Sequence, residues 1–291
     1  MPLKPIKRTS TFAIQSPVIR EFIEDDSCLQ CIYQHQREAL QALLRHHQQL
    51  VAKPQRWQDR IALINIPTGA GKAGVVVLAP YVLAANRVLV VTPSIIVARQ
   101  LYKAFCNREG TEAAFMLQRG IVNNVADLSP MIPRTSQASL ESADEVKAMV
   151  KDSNQELVIT NIQKIGSHEN SHARLEDLDP HAFDLIIVDE AHHYPARTWL
   201  AFVNHFQNAH QLIFMTATAY LGQQSLKETK NYILGGAIGL SPEVRPCYYL
   251  SAEDAISKGI LRLTLFKQIG NKNDSEVDVA SVRDFSNFIN L

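Results

Sequence analysis

No run of about 18 apolar residues occurs anywhere in this chain, so no segment reads as a membrane-spanning helix. Cysteine is scarce: four residues in 291, at positions 28, 31, 106 and 247, which fits a reducing compartment and excludes a disulfide-stapled fold. Cys28-Leu29-Gln30-Cys31 has zinc-ligand spacing, but no second pair follows at a suitable distance, so the two read as free thiols beside a helix start. Net charge is also missing. Lys+Arg and Asp+Glu both count 29, and charge alone argues neither for nor against a nucleic-acid partner. Residues 1–150 carry 17 basic and 12 acidic side chains (+5), and residues 151–291 carry 12 and 17 (−5). Acids are absent from the first twenty residues, which hold Lys4, Lys7, Arg8 and Arg20 with three prolines and no clear amphipathic stripe. Residues 1–27 are therefore expected to be a disordered or extended tail rather than a targeting peptide, and cytoplasm or nucleus is the expected location. No internal repeat is present.

At 46% hydrophobic the chain can fill a core, as one large domain or two small ones. Residues 34–51 have a helical pattern, with Ala39, Leu40, Leu43 and Leu44 on one stripe. Apolar strands are predicted at 61–66, 87–93, 156–159, 184–188 and 211–215, with helices at 72–85, 95–105 and 199–206. Residues 107–155 are polar and read as connection with some helix. Apolar strands alternating with helices specify an α/β fold, a doubly wound and mostly parallel sheet covered on both faces. Ligands on such sheets bind outside the carboxyl ends of the strands, and every chemistry-bearing motif of this chain lies at such an end.

The first is Pro67-Thr68-Gly69-Ala70-Gly71-Lys72-Ala73, between a strand and a helix that is apolar nearly all round. Small residues let the backbone approach a phosphate closely, so that N–H groups of Gly69, Ala70 and Gly71 cradle it while Lys72 reaches the outer phosphates. The strict P-loop pattern is broken twice. Ile66 occupies its first glycine position and Ala73 its Ser/Thr position, where a hydroxyl is expected to ligate magnesium. The second motif is Asp189-Glu190-Ala191-His192. Asp189 is expected to anchor Mg2+ through water, and Glu190 to orient and deprotonate an attacking water. His193 follows His192, but neighbours on a strand face opposite sides, so joint metal ligation is not expected.

With Thr216-Ala217-Thr218 added, the order and spelling resemble the first RecA-like lobe of superfamily 2 DEAD/DEAH-box-like helicases, specifically the type III restriction enzyme Res-subunit-like ATP-binding domain. The helicase spelling Pro-Thr-Gly-x-Gly-Lys is met in full, and Asp189, Glu190 and His192 match motif II without deviation. Gln36-Arg37-Glu38-Ala39 resembles the upstream motif whose glutamine reads adenine, although Tyr33 and His35 differ from the usual residues. Thr92-Pro93 with Gln100 is similar to motif Ia, and 158–163 to a later nucleic-acid motif. By resemblance Ser94, Thr160 and Asn161 lie near a nucleic-acid backbone; helix capping explains them equally well. Thr216 and Thr218 match the motif that couples nucleotide state to strand movement, with Ala219 in place of the usual proline.

The resemblance implies ATP and Mg2+ as cofactors, and DNA or RNA as partner, with DNA slightly favoured. It also implies a second RecA-like lobe, in cis or trans, whose arginines reach the γ-phosphate. After Thr218 the arginines are Arg245, Arg262 and Arg283, none paired. The expectation is therefore a helicase ATP-binding lobe at 28–240 and the start of a connection to a missing lobe at 241–291. An isolated chain of this kind is expected to be a weak or inactive ATPase. The alternative is a non-catalytic half-helicase that binds a nucleotide or a partner.

Overall fold

The computed structural model describes residues 9–52, 57–106, 114–135, 143–161, 175–191, 196–217 and 246–262. Six parallel strands form one sheet: β1 (Ile61–Asn65), β2 (Val88–Thr92), β3 (Leu157–Asn161), β4 (Leu185–Val188), β5 (Gln211–Thr216) and β6 (Tyr248–Tyr249). Their spatial order is β3-β2-β4-β5-β1-β6. Alternate strand residues feed two separate cores, because successive side chains leave a strand on opposite faces. Ala62, Ile64, Val88, Val90, Ile187, Ile213 and Met215 face one core; Ile61, Leu63, Leu89, Val91, Ile186, Leu212 and Phe214 face the other. This double burial is why β1 to β5 read as unbroken apolar runs rather than alternating ones.

The first core is covered by α1 (Thr11–Glu24), α2 (Gln34–Ala52), α3 (Lys72–Val82) and α4 (Ile95–Phe105). The second is covered by α7 (Ala143–Lys151) and α8 (Ala196–His205), whereas α5 (Phe115–Gln118) and α6 (Val125–Leu128), short turns in the connection between α4 and α7, add Phe115, Met116 and Leu128 to the first core. Helix α3 is buried almost all round, as its composition requires.

Two segments pack on the lobe where a tail and a connection were expected. Residues 11–24, expected to belong to a tail, form helix α1. Phe12, Ser16, Ile19 and Ile23 share one buried stripe, and Phe12 meets Tyr81 edge-on at 4.8 Å between ring centroids. Ser10 caps the helix by accepting from Ala13 N, and its hydroxyl donates to Ala85 O at 2.5 Å. The buried Glu156 receives the Thr11 N–H at 2.8 Å. Ser16 in the stripe and Pro17 in the helix hid the apolar period from the sequence.

Residues 246–262 pack against the lobe. Tyr248 and Tyr249 pair with Ile64 and Asn65 as the sixth strand, Leu250 N donates to Asn65 O, and the Asn65 side-chain amide donates to Leu250 O at 2.9 Å. Tyr248 Oη also donates to Glu38 Oε2 on α2 at 3.0 Å. A short helix, α9 (Ala252–Ser257), follows and is capped by Ser251. The rest of 241–291 lies outside the described residues. Among the described residues no helix is long and apolar enough to cross a membrane.

Candidate functional site: a glycine loop and an acidic strand end

β1 ends at Asn65, and Ile66 N then donates to Thr216 O at 3.0 Å, so the chain leaves the sheet in register with the end of β5. The turn that follows needs glycine at two points. Gly69 (φ 84°) and Gly71 (φ 81°) occupy the left-handed region on either side of Ala70, a conformation that an L side chain strains to adopt. Gly71 then serves as N-cap of α3, and Lys72 begins the helix with its side chain turned back beneath the loop. Lys72 is 8% exposed; its Nζ donates to Ile66 O at 3.3 Å and lies 2.7 Å from Glu190 Oε1. Ala73, in the first helical turn, is exposed.

Glu190 arrives from two strands away, because β5 lies between β1 and β4. Asp189 N donates to Val91 O at 2.8 Å, which continues the strand pairing, and Asp189 Oδ1 accepts from Glu190 N at 3.0 Å. Glu190 adopts φ 50°, which costs a non-glycine residue about 1–3 kcal/mol. The turn sends its carboxylate toward Lys72. Thr216 ends β5 between these two strand ends and is fully buried. Thr68 and Gly69 are exposed at the crest of the loop. Lys72, Glu190, the loop glycines and Thr216 are thus brought together, with Asp189 beside them. His192, His193, Thr218 and Ala219 lie outside the described residues.

Gln36, expected at an adenine, is fully buried on the first turn of α2. Its Oε1 accepts from Tyr33 N at 2.9 Å and its Nε2 donates to Gly71 O at 2.7 Å. His35 Nε2 lies 2.5 Å from Ala70 O. Burial holds the His35 imidazole below the usual histidine range and Lys258 acts in the same direction, opposed by the Ala70 carbonyl and Glu38. The involvement of His35 was not visible in the sequence, apart from its adjacency to Gln36. Leu261 and the Tyr33–Arg119 pair had no sequence signal: Leu261 Cδ2 lies 3.4 Å from an ideal Cβ at Gly69, and the Arg119 guanidinium lies 5.0 Å from the Tyr33 ring centroid.

Ser94 is the N-cap of α4, accepting from Val97 N at 3.3 Å. Thr92 Oγ1 lies within hydrogen-bond distance of the carbonyls of Ser94 and Thr160, tying the ends of β2 and β3 together. Thr160 and Asn161 are buried at that end. Among the described residues no group of three or more His, Cys, Asp or Glu is placed to hold a metal ion. Cys28 is buried, and Cys31 donates to Gly120 O. Cys247, behind β1, has its thiol pushed up to about 12 by burial, which makes it a poor nucleophile.

The arrangement suits a triphosphate: left-handed glycines present backbone N–H groups, a lysine stands at the start of a helix, and two carboxylates stand at a strand end two strands away. No curated protein matches the chain. The family model of the type III restriction enzyme, res subunit, matches residues 31–221, about two thirds of the chain, and spans the loop and both later motifs. The chain therefore belongs to the type III restriction enzyme res-subunit family, and its matched region is a helicase-like ATP-binding domain of the first RecA-like lobe kind.

Proposed function

We propose that this chain binds magnesium-ATP on the Gly69–Lys72 loop and hydrolyses it in partnership with a nucleic acid and a second RecA-like lobe. The observation that carries the reading is the 2.7 Å approach of Lys72 Nζ to Glu190 Oε1 across the carboxyl ends of parallel strands β1 and β4, with β5 between them. Phosphoryl transfer asks the protein mainly for positioning and charge. Backbone N–H groups of Gly69 and Gly71 hold the β-phosphate, the Ala70 N–H being donated to Pro67 O at 3.2 Å, and Lys72 leaves Glu190 to neutralise the β- and γ-phosphates. Glu190, released in the same exchange, becomes free to orient water and take its proton.

The chain's residues fit magnesium incompletely. Asp189 offers a carboxylate, through water, while Ala73 leaves the usual hydroxyl position empty. Bound magnesium would supply charge neutralisation of the phosphate oxygens, and Asp189 would hold it, through water, from the protein side. Thr216, between the two strand ends, and the continuation through Thr218 are proposed to relay the occupancy of the loop. Ser94, at the start of α4, is proposed to meet the nucleic-acid backbone, with Thr160 and Asn161 supporting that edge from below.

Equilibrium binding of a fluorescent magnesium-ATP analogue to the wild-type chain and to Lys72→Ala tests the reading. A dissociation constant raised about tenfold or more in Lys72→Ala supports it, and an unchanged dissociation constant refutes the loop assignment. Steady-state ATPase measurements with and without single-stranded and duplex DNA or RNA test the second half. Stimulation is expected; its absence, with a second lobe also supplied, refutes nucleic-acid coupling.

A further inference from the structure

In the structure Gln36 is fully buried against the loop. Its amide is enclosed on the loop side so closely that an ideal Cβ at Gly74 would come within 2.6 Å of Nε2, and one at Gly71 within 2.8 Å. Phe115 closes a further side, with its Cζ at 2.6 Å from the same Gly74 Cβ position. Both ends of the amide are bonded to backbone, at Tyr33 N and Gly71 O. The neighbouring His35, 2% exposed, contacts the preceding carbonyl, Ala70 O. A carbonyl can only accept, so His35 Nε2 carries the proton, and the buried Nδ1 has no hydrogen-bond partner.

Two consecutive side chains of α2 thus hold two consecutive carbonyls of the loop. In a trans peptide the C=O and the following N–H point in opposite directions. Pulling Ala70 O and Gly71 O toward α2 therefore aims the N–H groups of Gly71 and Lys72 away from it, on the side open to a phosphate. That geometry is independent of the base. Tyr33 does not supply a base-reading group either: its ring stacks on His35 at 5.5 Å between centroids, and the Arg119 guanidinium lies 5.0 Å from its centroid.

We propose that His35 and Gln36 are positioning residues that set the phosphate loop by its carbonyls, and that the site accepts nucleoside triphosphates as a class with little selection of the base. The inference rests on the triphosphate reading given above. Competition against a fluorescent triphosphate analogue, using ATP, GTP, CTP, UTP and inorganic triphosphate, tests it on the full chain. Wild-type dissociation constants for the four nucleotides should agree within about threefold, because no buried hydrogen bond distinguishes them. Gln36→Ala and His35→Ala should each weaken all five ligands by a common factor of about ten, and His35→Gln, which keeps a donor, should recover part of the loss. An ATP preference of about tenfold or more that Gln36→Ala abolishes, leaving the other nucleotides unchanged, overturns the inference while the triphosphate reading stands. Unchanged affinities in folded Gln36→Ala and His35→Ala variants overturn the positioning role. Failure of the wild type to bind any of the five refutes the triphosphate reading itself. The wild-type comparison needs no variant, so base selectivity is decided even if a substitution prevents folding.

Discussion

Replacing Glu190 by glutamine should tighten triphosphate binding while removing the group proposed to activate water. Lys72 and Glu190 are paired at 2.7 Å with side chains only 9% and 16% exposed, so solvent screens the pair little. A lysine that is to meet a phosphate must first leave this carboxylate. A charge-assisted hydrogen bond contributes about 1.5–3 kcal/mol, and the neutral bond that the glutamine amide can still form about 0.5–1.5 kcal/mol. The difference of about 1–1.5 kcal/mol corresponds to a roughly five- to tenfold lower dissociation constant. Removing a carboxylate beside the phosphates also relieves repulsion, so the pair's own share must be isolated. A double-mutant cycle with Lys72→Ala does this, since the repulsion term survives without the lysine and the pairing term does not. Calorimetric titration of the four proteins with a non-hydrolysable analogue gives the coupling. An affinity unchanged or weakened in Glu190→Gln, or a coupling near zero, would refute the view that this ion pair competes with the ligand.

Ala73 is exposed on the first turn of α3, so Ala73→Ser meets no steric obstacle and should tighten magnesium-dependent binding by about tenfold, with no change in EDTA; titration with and without magnesium checks this. Glu156 accepts from Thr11 N and Arg134 N, both at 2.8 Å, and pairs with the Arg134 guanidinium at 2.5 Å. Glu156→Ala should therefore destabilise the fold by about 2–3 kcal/mol, read from urea unfolding, with α1 loosened first by hydrogen exchange. His46 and His47 contact the two ends of the Gln211 amide, and burial is the largest cause holding both below the usual histidine range. His210, Arg20, Asp184 and Asp59 are the charged or titratable groups that act on them. Their folded forms take up a proton only below the unfolded value of 6.5, so their stability contribution is full above about pH 6.5 and is lost as pH falls through the lowered values. Melting temperature should drop from pH 7.5 to 5.5, and His46→Gln with His47→Gln should flatten that slope.

The local sequence determined the strand-turn-helix units. Runs such as Leu89-Val90-Val91 can only be strands buried on two faces. Glycines at 69 and 71 can only mark a turn that an L side chain strains to make, and Ser94 before Ile95 starts a helix. The acidic strand end was legible because Asp189 and Glu190 directly follow an apolar run. Strand order was not legible. The insertion of β5 between β1 and β4 depends on how helices cross over, and that insertion is what brings Glu190 from a distant part of the chain onto Lys72. The burial of α1 was likewise decided by tertiary contacts, since its stripe of Phe12, Ser16, Ile19 and Ile23 is recognisable only once α3 and Glu156 are in place. The direction of Gln36 belongs to the same class. A sequence motif specifies which residue stands at a position, but the approach of α2 to the loop decided that its amide meets Gly71 O, because side-chain direction is set by packing between elements distant in the chain.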